Sequence, residues 1–425
     1  MISQFKNSIL FKNTFIYVLL QFINKVIPFL LLPVLTRYLT PEDYGMIATY
    51  NTLIGALSIF IGLSMSGAIG ISFFHLTKED LKKYTGNVFN ILLISVLIVS
   101  IVVILFQSYL SEKLKLPTIW LYVAIVVALM HMITSVNLTL WRSQQKAKPY
   151  AFYEVSQTLF NIFLSLFLII IMHYGWEGRT IGSASAIIIF GILSLVFIYK
   201  RDYIVFNYSV EYMKDALKFG ITLIPHQMAL WMRSGVDILL ITSIVGVSQA
   251  GLYNVGLQFG MVVSIFAVAF NNAFSPYLYD KLKNITPKIQ KHLVKFTYLY
   301  FVCIIIFAMG LSTFFIWLIP FFLGKQFQNA SEYIYWISLA YAFQGMYFMV
   351  VNYIFYAKKN HLLSIVTIST SIFHVVLSYI LIQRYGAIGA AYTSVISFFL
   401  TFILVWRISS KVVEMPWFDF SWSKK

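Results

Sequence analysis

The chain has 425 residues, of which 60% are apolar and only 11% are charged, and its mean hydropathy is +0.82. Soluble globular domains carry about 25% charged residues, so this composition excludes a soluble protein and indicates an integral membrane protein. The net charge of +16 is explained more simply by Lys and Arg in cytoplasmic loops than by nucleic-acid binding. A single cysteine, Cys303, excludes an intrachain disulfide and a cysteine metal cluster.

The apolar residues form about twelve runs of continuous hydrophobicity, each long enough to cross a bilayer as a helix. Because the runs do not alternate with period two, they predict an all-α membrane protein. The predicted spans are 14–36, 44–74, 86–108, 119–141, 151–172, 180–199, 219–244, 251–279, 296–319, 331–356, 363–383 and 387–406.

The basic residues are distributed unequally between the two sides of these spans. One side carries 23 of the 31 Lys and Arg residues, and the other side carries 6. Since basic residues concentrate in cytoplasmic loops, both termini are predicted to be cytoplasmic. The loops on the opposite side are short, which leaves no room for a second, soluble domain.

The sequence also repeats itself. Residues 36–45 (TRYLTPEDYG) align with 242–251 (TSIVGVSQAG), and 174–178 (YGWEG) align with 385–389 (YGAIG), at offsets of 206 and 211. Two similar offsets predict a pair of six-helix bundles related by a parallel repeat. The predicted division is an N-terminal bundle at 1–199, a cytoplasmic linker at 200–218, and a C-terminal bundle with a short cytoplasmic tail at 219–425.

The first predicted span contains a lysine near its middle. A charge at this depth costs about 3 kcal/mol even on lenient insertion scales, so Lys25 requires a polar environment. Gln21, Asn24, Lys25 and Pro28 follow helical spacing and share one face. This polar face predicts a hydrated cavity, although snorkelling of Lys25 is the structural alternative.

The seventh predicted span carries His226, Arg233 and Asp237 at helical spacing. Two interpretations of Arg233 and Asp237 remain open. They form a static i, i+4 salt bridge that lowers the insertion cost of both charges, or Asp237 holds Arg233 only until an anionic cargo competes for it.

Polar stripes recur on other spans and predict a large cavity for a polar cargo. They comprise Glu154, Gln157 and Asn161 on the fifth span, Asn254, Gln258 and Asn272 on the eighth, and His374 on the eleventh. Arg37 and Arg142 lie at span ends and are either cavity cations or ordinary boundary charges. The histidines and Glu154 have equally ordinary interpretations, as structural or interfacial groups.

Four segments carry a resemblance to a known family: KVIPFLLLPVLTRYLTPEDYG at 25–45, GWEGR at 175–179, LKFGITLIPHQMALWM at 217–232 and AFNNAFSPYL at 269–278. They resemble the Wzx-type polysaccharide flippases, which belong to a superfamily that includes MATE drug exporters and lipid II flippases. The resemblance extends over nearly the whole chain.

The resemblance implies a multi-pass protein of the bacterial inner membrane that translocates undecaprenyl-pyrophosphate-linked oligosaccharides by alternating access. It implies a role in O-antigen, and hence lipopolysaccharide, or in capsule synthesis. Lys25 and Arg233 would be cavity cations, with Arg37 and Arg142 as further candidates. Asp237, Glu154 and His226 are the candidates for coupling or gating.

The expected partners are the lipid-linked oligosaccharide, membrane lipids, a polysaccharide polymerase and a chain-length regulator, without nucleic acid. No cofactor is expected, and coupling to protons or sodium stays open. The alternative functions are a cation-coupled drug exporter on the same fold, a membrane enzyme of the same pathway, and a structural membrane partner. The cations Lys25 and Arg233 favour an anionic cargo, and the short outer loops disfavour an enzyme.

Overall fold

The computed structural model of the protein describes residues 27 and 29–417, and every regular element in these residues is helical. The chain forms two compact units that divide between Trp231 and Met232. Unit 1 precedes this point and unit 2 follows it. The predicted bundle boundaries at 199 and 219 remain a prediction.

Within the described residues, unit 1 contains eight complete helices and most of a ninth. They are α1 (Phe29–Tyr38), α2 (Pro41–Gly62), α3 (Met65–His75), α4 (Lys78–Leu105), α5 (Gln107–Leu114), α6 (Thr118–Ser143), α7 (Ala147–Leu166), α8 (Gly175–Lys200) and α9 (Val210–Ser234), whose last three residues belong to unit 2. A π-helical turn, Phe167–Ile171, extends α7.

In unit 2, the part of the chain that the structure describes forms six further helices. They are α10 (Val236–Ile244), α11 (Val247–Lys283), α12 (Pro287–Phe322), α13 (Ser331–Tyr356), α14 (Asn360–Tyr385) and α15 (Ile388–Val412). A short 3₁₀ helix, Lys325–Ala330, leads into α13. The apolar core of this unit is rich in aromatic residues, with Phe301, Phe402 and Trp406 in mutual contact.

Ten helices of the described residues are long and apolar enough to cross a membrane, which makes this a multi-pass membrane protein. The predicted first span lies mostly outside the described residues, and only α1 represents it. The prediction of an all-α membrane protein is therefore confirmed, while two of the predicted spans are not continuous helices.

The predicted span 44–74 is wrong as a single helix. The helical path ends at Gly62, because Leu63 and Ser64 adopt positive φ angles of 43° and 55° before α3 begins. Gly220 of α9 fits at this break, where an added Cβ would lie 2.1 Å from the Leu63 carbonyl oxygen. The prediction joined the two helices because the sequence is apolar on both sides of the break, although Gly62, Ser64, Ser66 and Gly67 cluster around it.

The predicted span 219–244 is also interrupted. It divides at Gly235 into the end of α9 and the short helix α10. This break separates Arg233 from Asp237, so the two residues do not share one regular helix. The consequence for their predicted pairing is described with the site.

The repeat predicted from the YGWEG and YGAIG segments has the same local structure in both units. Gly175 and Gly386 have positive φ angles of 56° and 72° where α8 and α15 begin. One turn later, an added Cβ on Gly178 would approach the Leu168 backbone at 3.1 Å, and one on Gly389 would lie 2.2 Å from the Leu381 carbonyl oxygen. Each glycine therefore allows its helix to pack closely on the preceding one.

Two of the sequence segments that resemble the flippases meet in unit 1. Asp43 and Thr40 form a reciprocal cap at the start of α2. In this cap, Asp43 Oδ2 accepts a hydrogen bond from the Thr40 backbone N–H, and Asp43 Oδ1 accepts one from the Trp176 backbone N–H at 3.2 Å. This contact joins the TPEDYG and GWEG turns, and it explains an acidic residue beside the sharp turn at Gly175.

The basic segment after α8 is attached to the start of α4. The Val205 N–H donates to the Lys82 carbonyl oxygen at 3.2 Å, and Lys82 forms an ion pair with Asp202 at 2.6 Å. This ion pair holds the pKa of the Asp202 carboxyl below its usual range, chiefly through the hydrogen bond from Lys82. Gly86 is required nearby, because an added Cβ would lie 2.0 Å from the Val205 carbonyl oxygen.

Candidate functional site

Unit 1 contains a polar cavity of about 410 Å³ between α6, α7 and α8. Three predicted residues at helical spacing on α7, Glu154, Gln157 and Asn161, line it together with the predicted cation Arg142. The other lining residues are His131, Thr134, Ser135, Leu138, Thr139, Tyr150, Thr158, Ala186 and Ile187. The predicted stripe on the fifth span therefore faces a real cavity.

The cavity offers hydrogen-bonding groups of several kinds. Tyr150 donates to Glu154 Oε1 at 3.2 Å, and Arg142 Nη2 donates to Thr139 Oγ1 at 3.3 Å. Arg142 is otherwise exposed, whereas Glu154 and Gln157 are half-buried. A guanidinium, a carboxylate, an amide and hydroxyl groups lining one cavity can bind a ligand rich in hydroxyl groups.

Arg179 is a cation near this cavity, and it falls between the predicted spans 151–172 and 180–199, in a predicted outer loop. In the structure it lies in the second turn of α8, which begins at Gly175 and not at the predicted residue 180. Its Nη1 donates to Asn161 Oδ1 at 2.6 Å and to Ser165 Oγ at 2.7 Å. No periodicity in the sequence marks this contact, because Arg179 and its two partners lie on different helices.

Unit 2 contains a buried polar core, and Arg233 lies at one end of it. Its Nε donates to Ser371 Oγ at 3.0 Å, and its Nη2 donates to Thr401 Oγ1 at 3.0 Å and also to Thr370 Oγ1. The guanidinium also lies 5.7 Å from the centre of the Phe398 ring. The hydroxyl groups of α14 and α15 thus solvate the predicted cation.

Asp237 occupies the other end of the core and is only 2% exposed. Its Oδ1 lies 3.2 Å from His374 Nε2 and accepts a hydrogen bond from Ser378, and its Oδ2 accepts from the Tyr253 hydroxyl at 3.2 Å. His374 is fully buried, and its Nδ1 lies 2.8 Å from Ser397 Oγ. The result is a continuous chain of polar groups from α10 through α14 to α15.

The predicted contact between Arg233 and Asp237 is wrong. Within the described residues, no ion pair joins them, because the helix is interrupted at Gly235 and each side chain has other partners. Both the static bridge and the gated bridge assumed one regular helix. The imidazole that contacts Asp237 belongs to His374, whereas the predicted candidate His226 is exposed on α9 in unit 1.

The other predicted residues lie in varied places. Arg37 is exposed at the end of α1, and Asn254 and Gln258 are half-buried on α11. Asn272 is exposed, while its neighbour Asn271 accepts a hydrogen bond from Asn352 at 2.8 Å. The predicted lining residues Lys25, Gln21 and Asn24 lie outside the described residues.

Comparison with known proteins places the chain among polysaccharide biosynthesis proteins. Residues 10–282 match the family described as polysaccharide biosynthesis protein. A protein named for the Lsg locus of Haemophilus influenzae is 27% identical and covers 86% of this chain and 89% of its own length. A membrane protein of the same bacterium is 28% identical, with coverages of 86% and 88%.

Solved structures support the fold. The lipid II flippase MurJ, in an inward closed conformation, has a TM-score of 0.75 at 16% identity and covers 93% of this chain and 87% of its own. An inward-facing MATE multidrug transporter has a TM-score of 0.64 at 15% identity, with coverages of 91% and 94%. These similarities establish the MATE-like fold.

Proposed function

Because the chain belongs to the polysaccharide biosynthesis protein family, we propose that it flips a lipid-linked oligosaccharide across the bacterial inner membrane. The lipid carrier in this proposal is undecaprenyl pyrophosphate, and the product is a surface polysaccharide such as O-antigen or capsule. The observation that supports it most directly is the polar cavity of unit 1.

The cavity suits the saccharide part of such a cargo. Sugar hydroxyl groups both donate and accept hydrogen bonds, so a site for them needs acceptors such as Glu154 and donors such as Arg142. Amides such as Gln157 and Asn161 supply both in one side chain. An apolar cargo would find few partners in this lining.

The pyrophosphate needs positive charge along its path, since an anion in a low-dielectric interior is expensive without a counter-charge. Arg142 and Arg179 supply it in unit 1, and Arg233 supplies it in unit 2. Lys25 has the same role in the proposal from its position in the sequence.

We assign coupling to Asp237 and His374. A buried carboxylate next to an imidazole can exchange a proton, and a buried carboxylate surrounded by hydroxyl groups can bind sodium. Either event changes the charge of the core in unit 2 and can bias a transporter between two open states. A drug exporter is the second candidate, because the carboxylate of Glu154 in the cavity of unit 1 could bind a cationic cargo.

The remaining assignments follow from the family and the charge pattern. Both termini are cytoplasmic in this proposal, and the protein acts as a transporter without catalysing a covalent step. A polysaccharide polymerase and a chain-length regulator would take the flipped units. Membrane lipids surround the apolar helices, for which exposed Phe163 and Leu159 of α7 are examples.

The test is reconstitution of the full chain in proteoliposomes with a pyrophosphate-linked oligosaccharide lipid and, separately, a cationic dye. Arg142→Gln should reduce oligosaccharide flipping several-fold, and Lys25→Ala should abolish it. Ser156→Ala, on the same helix but away from the cavity lining, should leave it unchanged. Transport of the dye without the oligosaccharide lipid would refute the proposal in favour of the exporter.

A further inference from the structure

A second cavity lies in unit 2, where the end of α11 meets the beginning of α12. Its volume is about 300 Å³, and its lining is divided into basic and apolar parts. The basic part consists of Lys281, Lys288 and His292, and the apolar part of Tyr277, Ile289 and Leu293. We refer to these six residues as the α11–α12 groove.

We propose that the α11–α12 groove binds the phosphate headgroup of an anionic phospholipid, with its glycerol and upper acyl chain against the apolar wall. This site is independent of the proposed flipping function. The structural alternative is that the lysines only fix the topology of the loop, as basic residues in cytoplasmic loops generally do.

Depth in the membrane supports a lipid ligand. The apolar stretch of α12 begins at Phe296, so a helical rise of 1.5 Å per residue places His292 about 6 Å and Lys288 about 12 Å beyond it. The headgroup layer extends about 5–8 Å on each side of the hydrocarbon core. His292 therefore lies at the level of the lipid phosphates, and Lys288 lies just outside that level, from which its long side chain can extend back toward it.

Charge supports an anionic lipid over a zwitterionic one. Among the described residues that line the groove there is no carboxylate, and Lys281 Nζ lies 5.6 Å from the centre of the Tyr277 ring. Two neighbouring acidic residues are exposed: Asp280, which precedes Lys281, and Glu414, whose backbone carbonyl oxygen accepts a hydrogen bond from Gln290. Each Lys near an anionic membrane surface increases the binding affinity for it by roughly fivefold.

The apolar wall distinguishes a lipid from a free phosphate ion. Tyr277 is 41% exposed and Ile289 is half-buried, so these two side chains present hydrocarbon to a ligand on one side of the groove, whereas Leu293 is fully buried. An inorganic anion gains nothing from this wall. A phospholipid places its glycerol and acyl carbons there and its phosphate among the lysines.

The test is native mass spectrometry of the delipidated full-length protein titrated with dioleoyl phosphatidylglycerol or dioleoyl phosphatidylcholine. We expect retention of phosphatidylglycerol, and at least an approximately fivefold weaker affinity in the double variant K281Q/K288Q. The matched control K283Q/K295Q removes the same charge from the same region outside the groove and should bind normally. K281R/K288R should also bind normally.

Three results would overturn the proposal: equal weakening by the control pair, equal retention of phosphatidylcholine, or displacement of the lipid by an equimolar amount of inorganic phosphate. Unchanged circular dichroism of each variant shows that folding is preserved. Because the assay contains no saccharide, its failure and the failure of the proposed flipping function are separate results.

Discussion

The two units handle polar groups inside the membrane in opposite ways. In unit 1, Glu154, Gln157 and Arg142 surround an open cavity of about 410 Å³. In unit 2, Asp237 is 2% exposed and has three hydrogen-bonding side chains around its carboxylate. The first arrangement leaves hydrogen-bonding capacity for a ligand, and the second uses that capacity within the protein.

Because of this difference, mutations in the two units should have different effects on stability and on cargo binding. Removing a member of a satisfied buried network leaves its partners unpaired, at about 1–3 kcal/mol for each stranded group. Removing a group from a hydrated cavity mainly removes a contact with the ligand. Mutations in the polar core of unit 2 should therefore lower stability, and mutations in the cavity of unit 1 should weaken cargo binding.

The largest expected effect follows substitution of the two charges of unit 2. Arg233→Gln and Asp237→Asn should each reduce flipping more than tenfold, and the double variant should show no recovery, because the residues have separate partners. Surface polysaccharide at matched protein level is the measurement. Recovery in the double variant would mean that the two charges neutralise each other after all.

The second-largest expected effect is a loss of stability when a glycine at a close helix contact is replaced. Gly389→Ala in unit 2 should lower the free energy of unfolding by about 3 kcal/mol, because the added Cβ would lie 2.2 Å from a backbone oxygen. Gly178→Ala in unit 1 should lower it by only about 1 kcal/mol, because the added Cβ would lie no closer than 3.1 Å to its neighbours. Thermal unfolding in detergent measures both. Gly310→Ala, where an added Cβ meets nothing within 4 Å, is the control. Equal losses at Gly178 and Gly389 would contradict the difference in packing.

The cavity of unit 1 should respond in function and not in stability. Gln157→Ala should weaken cargo binding about fivefold, the equivalent of one hydrogen bond of about 1 kcal/mol, with little change in the unfolding temperature. Binding of the oligosaccharide lipid to purified protein is the measurement, with Ser156→Ala as its control. A large loss of stability without a change in affinity would show that the cavity is structural.

The smallest effect concerns an exposed carboxylate that contrasts with Asp237. Lys82 lowers the pKa of the Asp202 carboxyl. The ion pair therefore stabilises the fold at pH values above the ordinary carboxyl pKa of 3.8, and this stabilisation is lost as the pH falls through the lowered pKa. Asp202→Asn should therefore lower the unfolding temperature only slightly at pH 7. The difference from wild type should vanish in acid and shrink in high salt, because exposed ion pairs are screened. A constant difference from pH 7 to pH 2 would contradict this account.

Local patterns were sufficient to predict much of the molecule. Continuous apolar runs predict membrane helices because the bilayer sets their length. Helical spacing placed Glu154, Gln157 and Asn161 on one face, and the structure shows that face lining a cavity. The repeat was visible because the turns at Gly175 and Gly386 both need a positive φ angle, which glycine adopts without strain.

The remaining features depended on contacts between distant segments. The break at Leu63 and Ser64 lies where Gly220 of α9 approaches, 157 positions from Leu63 in the sequence, and the Gly and Ser residues around the break do not by themselves decide between a break and a continuous helix. The break at Gly235 gave Arg233 and Asp237 different partners, although their spacing predicted a pair. Sequence alone thus determined which residues share a helix face. Tertiary packing decided where helices break and which groups solvate each buried charge, since both depend on neighbours that only the fold brings together.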